Sequence, residues 1–176
     1  MNKKVTPAGI PVFAFTAYSG TGKTTFLEKL IACLSDSKLR VAVIKHDAHE
    51  FKLPLDQEDK DTWRMARAGA DCVGISNSGR AALLNYRSVS LEEMLAGIEN
   101  ADVILLEGYH DSGYPTFSLN RAETGKGYRI PHEKTIALIS DVKPEEEEGT
   151  ETDKPWFHLE DALGVAEFIC SEMKIE

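Results

Sequence analysis

The segment Ala17-Tyr18-Ser19-Gly20-Thr21-Gly22-Lys23-Thr24 has the spacing small-x-x-x-x-Gly-Lys-Ser/Thr. Residues of these types at this spacing suit polyphosphate chemistry. Glycines let successive backbone N–H groups turn inward and ring a phosphate. The lysine supplies a mobile positive charge to the terminal phosphates, and the hydroxyl after it is a ligand for Mg²⁺. A helix starting here aims its positive end at the same anion. On this reading Ser19, Gly20, Thr21, Gly22, Lys23 and Thr24 hold a nucleoside triphosphate, with Thr24 also a metal ligand and Lys23 also catalytic. Ala17 stands where the strict pattern has Gly, the smallest possible change.

A phosphate loop needs a second acidic group near Mg²⁺, and in α/β proteins ligands gather at the carboxyl ends of strands. Glu107 closes the apolar run Val103-Ile104-Leu105-Leu106 and is the candidate. It would hold a Mg²⁺-bound water or orient an attacking one. Gly108 beside it leaves room for a close phosphate.

Lys45-His46-Asp47-Ala48-His49 follows another apolar run and emerges on the same edge. In one reading Asp47 reaches Mg²⁺ through water or, as a catalytic alternative to Glu107, positions the attacking water, while Lys45 or His46 reaches phosphate. In the other, His46, His49 and Asp47 hold a transition metal, although His-x-x-His alone leaves the third ligand open. Asp141 also follows a strand and is a candidate acceptor for a guanine edge. Its surroundings, Ser140-Asp141-Val142-Lys143, lack the Asn/Thr-Lys-x-Asp pattern common in guanine-specific proteins. Arg121 and Arg129 lie in a Gly-containing segment, placed either to meet anionic groups or simply to face solvent.

These residues need elements to position them. Residues 11–16 and 40–44 read as short buried strands, with a helix over 24–34 between them, a β–α–β unit. Residues 45–60 read as a loop, followed by a helix over 61–68 closed by Gly69. Residues 71–76 and 81–86 suit a hairpin turned at Asn77-Ser78-Gly79-Arg80. Ser90 and Glu93 form a capping-box pattern for a helix ending near Glu99. Further strands are expected over 103–106, 116–119 and 135–139, then an acidic loop at 144–155 and a closing helix over 159–173. The pattern predicts an α/β fold of the phosphate-loop NTPase type, a three-layer sandwich with a mostly parallel sheet and a hairpin extension. With 176 residues it reads as one domain after a loose lead-in at 1–10.

Composition narrows the partners. A net charge of −9 without a basic run argues against nucleic acid. No apolar stretch approaches the length of a membrane span. Cys33, Cys72 and Cys170 match no metal or redox spacing, which suits reduced thiols in a cytoplasmic protein.

The phosphate loop, then Val43-Ile44-Lys45-His46-Asp47-Ala48-His49, Lys60-Asp61-Thr62, Ala68-Gly69-Ala70 and Leu105-Leu106-Glu107-Gly108-Tyr109 occur in a telling order. Over residues 11–143 that order resembles the molybdopterin-guanine dinucleotide biosynthesis protein B (MobB) family. The resemblance implies a GTP-binding protein with weak, Mg²⁺-dependent GTPase activity. It implies a homodimer that assists formation of molybdopterin guanine dinucleotide, alongside the guanylyltransferase MobA, the molybdenum cofactor and a molybdoenzyme. It adds Thr25 to the phosphate and Mg²⁺ residues, and it places Lys45, His46 and His49 in a His-rich loop. Tyr18, Ala48 and His110 depart from residues frequent in that family. Two alternatives stay open beside it. One is a small-molecule kinase using Arg64, Arg67 or Arg80. The other is a nucleotide-dependent partner-binding switch whose hairpin forms the contact surface.

Overall fold

A computed structural model describes residues 5–46, 58–144 and 153–173. Asp47, His49 and the run Glu145 to Glu148 lie outside the described residues. The chain divides into two compact units, Met1–His46 with Ile98–Glu176, and Asp47–Gly97.

The larger unit is built on one sheet. Its strands are β1 (Val12–Thr16), β2 (Val41–Lys45), β5 (Val103–Glu107), β6 (Thr116–Asn120), β7 (Ala137–Ser140) and β8 (Trp156–His158), in the order β2-β5-β1-β6-β7-β8. Every neighbouring pair is parallel. Strands β1, β5 and β6 are buried along their whole length; β1 and β5 accordingly read as apolar runs, whereas β6 alternates Thr116, Ser118 and Asn120 with Phe117 and Leu119. β2 is an edge strand, and its Val43 is 45% exposed.

Alternation along the strands puts Phe13, Phe15, Leu105, Phe117, Leu119 and Ile139 on one face. There they meet two helices, α1 (Lys23–Asp36) and α4 (Ala162–Met173). Phe26, Leu27, Leu30 and Leu34 of α1, and Val165, Ala166 and Ile169 of α4, complete this core at helical spacing.

Strand β8 was not expected. Three residues after Pro155 are too few to show a period. Pairing supplies the strand: Leu138 registers with Trp156, and the Trp156 indole N–H donates to the Ser140 hydroxyl at 2.8 Å. The closing helix starts at Ala162, later than expected, because Leu159 is still tied to the Ser140 carbonyl and Asp161 accepts the Gly164 N–H at 2.9 Å. β7 begins at Ala137 because Thr135 closes a short 3₁₀ turn, its hydroxyl on the His132 carbonyl.

The smaller unit holds α2 (Asp61–Arg67), the antiparallel strands β3 (Cys72–Ser76) and β4 (Ala81–Asn85), and α3 (Leu91–Ala96). The hairpin turn is fixed by Asn77, whose side-chain oxygen accepts the N–H groups of Gly79 and Arg80, each at 2.9 Å. Ser90 and Glu93 form the expected capping box, and α3 stops at Ala96, before Gly97.

At the amino end of the large sheet, Arg40 grips Asp102 by its backbone N–H at 2.7 Å and by both sides of its guanidinium. The side-chain hydrogen bonds are the main cause that lowers the Asp102 carboxyl from 3.8 to about 2. A carboxyl lowered by folding contributes stability above its unfolded value and loses it as pH falls through the folded one. Asp102→Asn therefore flattens the fall in stability between about pH 4 and about pH 2. Denaturant melts at stepped pH measure this, and an unaltered acid limb would count against the pair.

Candidate functional site

β1 delivers the chain into the phosphate loop. Ala17 is buried in the core cluster, so a larger side chain has no space at the turn. Gly20 and Gly22 both have φ of +90°, the left-handed conformation that turns the loop and that other residues adopt at a cost. Thr21 is buried, and its hydroxyl donates to the Tyr18 carbonyl at 2.8 Å, closing the loop on itself. Helix α1 then opens with Gly22 as its N-cap. No side chain caps it and no acidic residue stands in its first turn. The free N–H groups and positive end of α1 are thus left to an external anion, which is what a phosphate requires. Thr24 and Thr25 are exposed in that first turn.

Two strands bring the acidic group to the same place. Glu107 registers with Phe15 of β1 on one side and with Lys45 of β2 on the other. Its carboxylate, 9% exposed, accepts from the Lys23 ammonium at 2.5 Å, and the Lys45 ammonium lies 3.5 Å from the same oxygen. The phosphate-loop lysine and the strand-end glutamate, expected only to share the Mg²⁺ neighbourhood, are in direct contact, with Lys45 as a second cation. Gly108 follows at φ +91°, and a Cβ there would come within 3.0 Å of the His46 carbonyl oxygen. Beyond it, the His46 and Tyr109 rings lie 5.3 Å apart, and burial raises the Tyr109 phenol. Among the described residues no group of three metal-binding side chains occurs. The transition-metal reading depended on Asp47 and His49, which lie outside them.

On the other side of β1, Asp141 follows β7. One carboxylate oxygen accepts the Ala122 N–H at 2.9 Å, which fixes the chain after β6. That chain carries cations the sequence reading weighed only in part. Arg121 donates to the Thr21 carbonyl at 3.1 Å, and the Arg129 guanidinium stands 5.7 Å from the centre of the Tyr18 ring. Lys126, which was missed, donates to the Ser19 carbonyl at 3.2 Å. The available signal was three cations within a nine-residue, glycine-bearing stretch, 121–129.

The arrangement can bind a polyphosphate, place a lysine on it and hold a carboxylate beside it. Thr24 and Glu107 offer hard oxygen donors of the kind Mg²⁺ prefers. Comparison with known proteins identifies relatives of the chain. The family model for molybdopterin guanine dinucleotide synthesis protein B (MobB) matches residues 12–141. The chain is 40% identical over 135 residues to the molybdopterin-guanine dinucleotide biosynthesis adapter protein of Haemophilus influenzae, covering 74% of this chain and 75% of that one. It is 31% identical over 175 residues to the adapter protein of the same name from Escherichia coli, covering 94% of each. A crystal structure of Bacillus subtilis MobB matches the fold with a TM-score of 0.73 at 27% identity, covering 95% of this chain and all of that one.

Proposed function

The chain belongs to the molybdopterin guanine dinucleotide synthesis protein B (MobB) family, and from that premise we propose a GTP-binding accessory protein with slow GTPase activity. It serves the biosynthesis of molybdopterin guanine dinucleotide as an adapter, the role its relatives' names carry. The observation that supports nucleotide binding best is the uncapped start of α1 with Lys23 held against Glu107.

The two residues change partners when the nucleotide enters. Lys23 leaves the carboxylate for the terminal phosphates, where two charges of opposite sign meet at short range. Glu107 stays paired with Lys45 and is then free to accept a proton from, or orient, a water at the γ-phosphate. Mg²⁺, held by Thr24 directly and by Glu107 through a bound water, would supply further charge neutralisation on the phosphates. Asp141, at the end of β7, is the acceptor proposed for the guanine edge. Hydrolysis is slow because such sites gain several orders of magnitude only when a further cation reaches the transferring phosphoryl group.

The partners follow from the family: MobA, the molybdenum cofactor and a molybdoenzyme, in the cytoplasm. Among the described residues no helix is long and apolar enough to cross a membrane. A homodimer is proposed through the β3–β4 hairpin, which exposes Ile75 and Leu83.

The test is phosphate release by the pure protein, followed in parallel with GTP and with ATP, each with and without molybdopterin. Slow release that prefers GTP is expected. ATP consumption with a phosphorylated small product would replace the reading with a kinase.

A further inference from the structure

Residues 121–129 touch the phosphate loop three times, each time with a cation. Arg121 meets the Thr21 carbonyl, Lys126 the Ser19 carbonyl and Arg129 the Tyr18 ring. The segment is tied down near both ends to the carboxyl end of β7. Ala122 donates to Asp141 at 2.9 Å, and the Tyr128 hydroxyl donates to Ser140 at 3.0 Å. Between the ties, Lys126 sits exposed at a crest flanked by Gly125 and Gly127, with φ of +62° and +64°. Left-handed glycines on both sides give that crest a geometry other residues resist.

The charge is what needs explaining. Lys23 and the positive end of α1 already make the loop electropositive. Packing alone would be served by neutral side chains; Glu160 offsets part of the Arg121 charge, but among the described residues no ion pair holds Lys126 or Arg129, and these two cations add to that potential unless an anion joins them. In a phosphate-binding nest the N–H groups turn inward and the carbonyls outward. Cations resting on outward carbonyls are thus held close to a polyphosphate without blocking the ring. A lysine on a flexible stem, donating to a single carbonyl, can exchange that carbonyl for a phosphate oxygen.

We propose that residues 121–129 form a cationic strap that senses the terminal phosphate: Lys126 moves from the Ser19 carbonyl to the γ-phosphate, while Arg121 and Arg129 hold the loop. The strap acts on the bound nucleotide rather than on the transition state, through a single flexible ammonium. It makes the site prefer a nucleoside triphosphate over the diphosphate. This inference rests on the nucleotide-binding reading above.

Calorimetry with GDP and with a non-hydrolysable GTP analogue tests it, in the parent chain, Lys126→Ala and Lys126→Arg. Loss of one charge-assisted hydrogen bond lowers affinity about tenfold or more. Lys126→Ala should show that loss for the triphosphate analogue alone, with GDP affinity unchanged and Lys126→Arg close to the parent. Equal losses for both nucleotides, or no loss for either, would overturn the strap while leaving the nucleotide reading in place. A parent chain that binds neither nucleotide removes that reading, and the strap with it.

Discussion

Lys23→Ala is expected to lower affinity for GTP by about a hundredfold or more, because the ammonium supplies at least two charge-assisted hydrogen bonds to phosphate at roughly 1.5–3 kcal/mol each. The variant should still fold. Glu107 keeps Lys45 at 3.5 Å, so its buried carboxylate is not left without a cation. Removing one partner of a fully buried pair costs about 3–5 kcal/mol. Here the second lysine and the open edge of the site hold the loss below that. Thermal melts and calorimetry on the same preparation separate the two effects. A folded Lys23→Ala chain with parental GTP affinity would remove the phosphate loop from the account.

Gly108→Ala should cost stability and distort the site together. Its φ of +91° is strained for any residue with a Cβ, and the added carbon would lie 3.0 Å from the His46 carbonyl oxygen. That oxygen belongs to backbone anchored by the His46 N–H on the Glu107 carbonyl at 2.8 Å, so it cannot simply rotate away. Strain of this kind costs about 1–3 kcal/mol, and each kcal/mol lowers Tm by about 2–4 °C in a chain of this size. Gly9→Ala is the control, with φ +82° and open space around the new carbon. It carries the backbone strain without the collision. Equal melting temperatures for the two variants would show that the approach of β2 to β5 is looser than the structure has it.

Much of this was legible before any coordinates. The phosphate loop and Glu107 stood out because each sits at the end of a continuous apolar run, and parallel strands buried on both faces produce such runs. The capping box of Ser90 and Glu93 and the turn at Asn77 were equally plain, since both are made by local hydrogen bonds between nearby residues. What stayed hidden depends on residues far apart in the chain. β8 exists because three residues after Pro155 find β7. Lys126 lies 107 residues from the Ser19 carbonyl it meets, and the local cluster of cations at 121–129 does not by itself say which loop they reach. The direct contact of Lys23 with Glu107, 84 residues apart, was likewise expected only as a shared neighbourhood. Long-range pairing decides these positions, and periodicity does not carry it.

The central claim is that the loop from Ala17 to Thr24 binds GTP. Direct competition between GTP and ATP for the unaltered chain, in the presence of Mg²⁺ and read by calorimetric displacement, tests it most closely. The expected result is one site per chain, occupied by GTP and not displaced by equimolar ATP. Absence of GTP binding, or ready displacement of GTP by ATP, would contradict it.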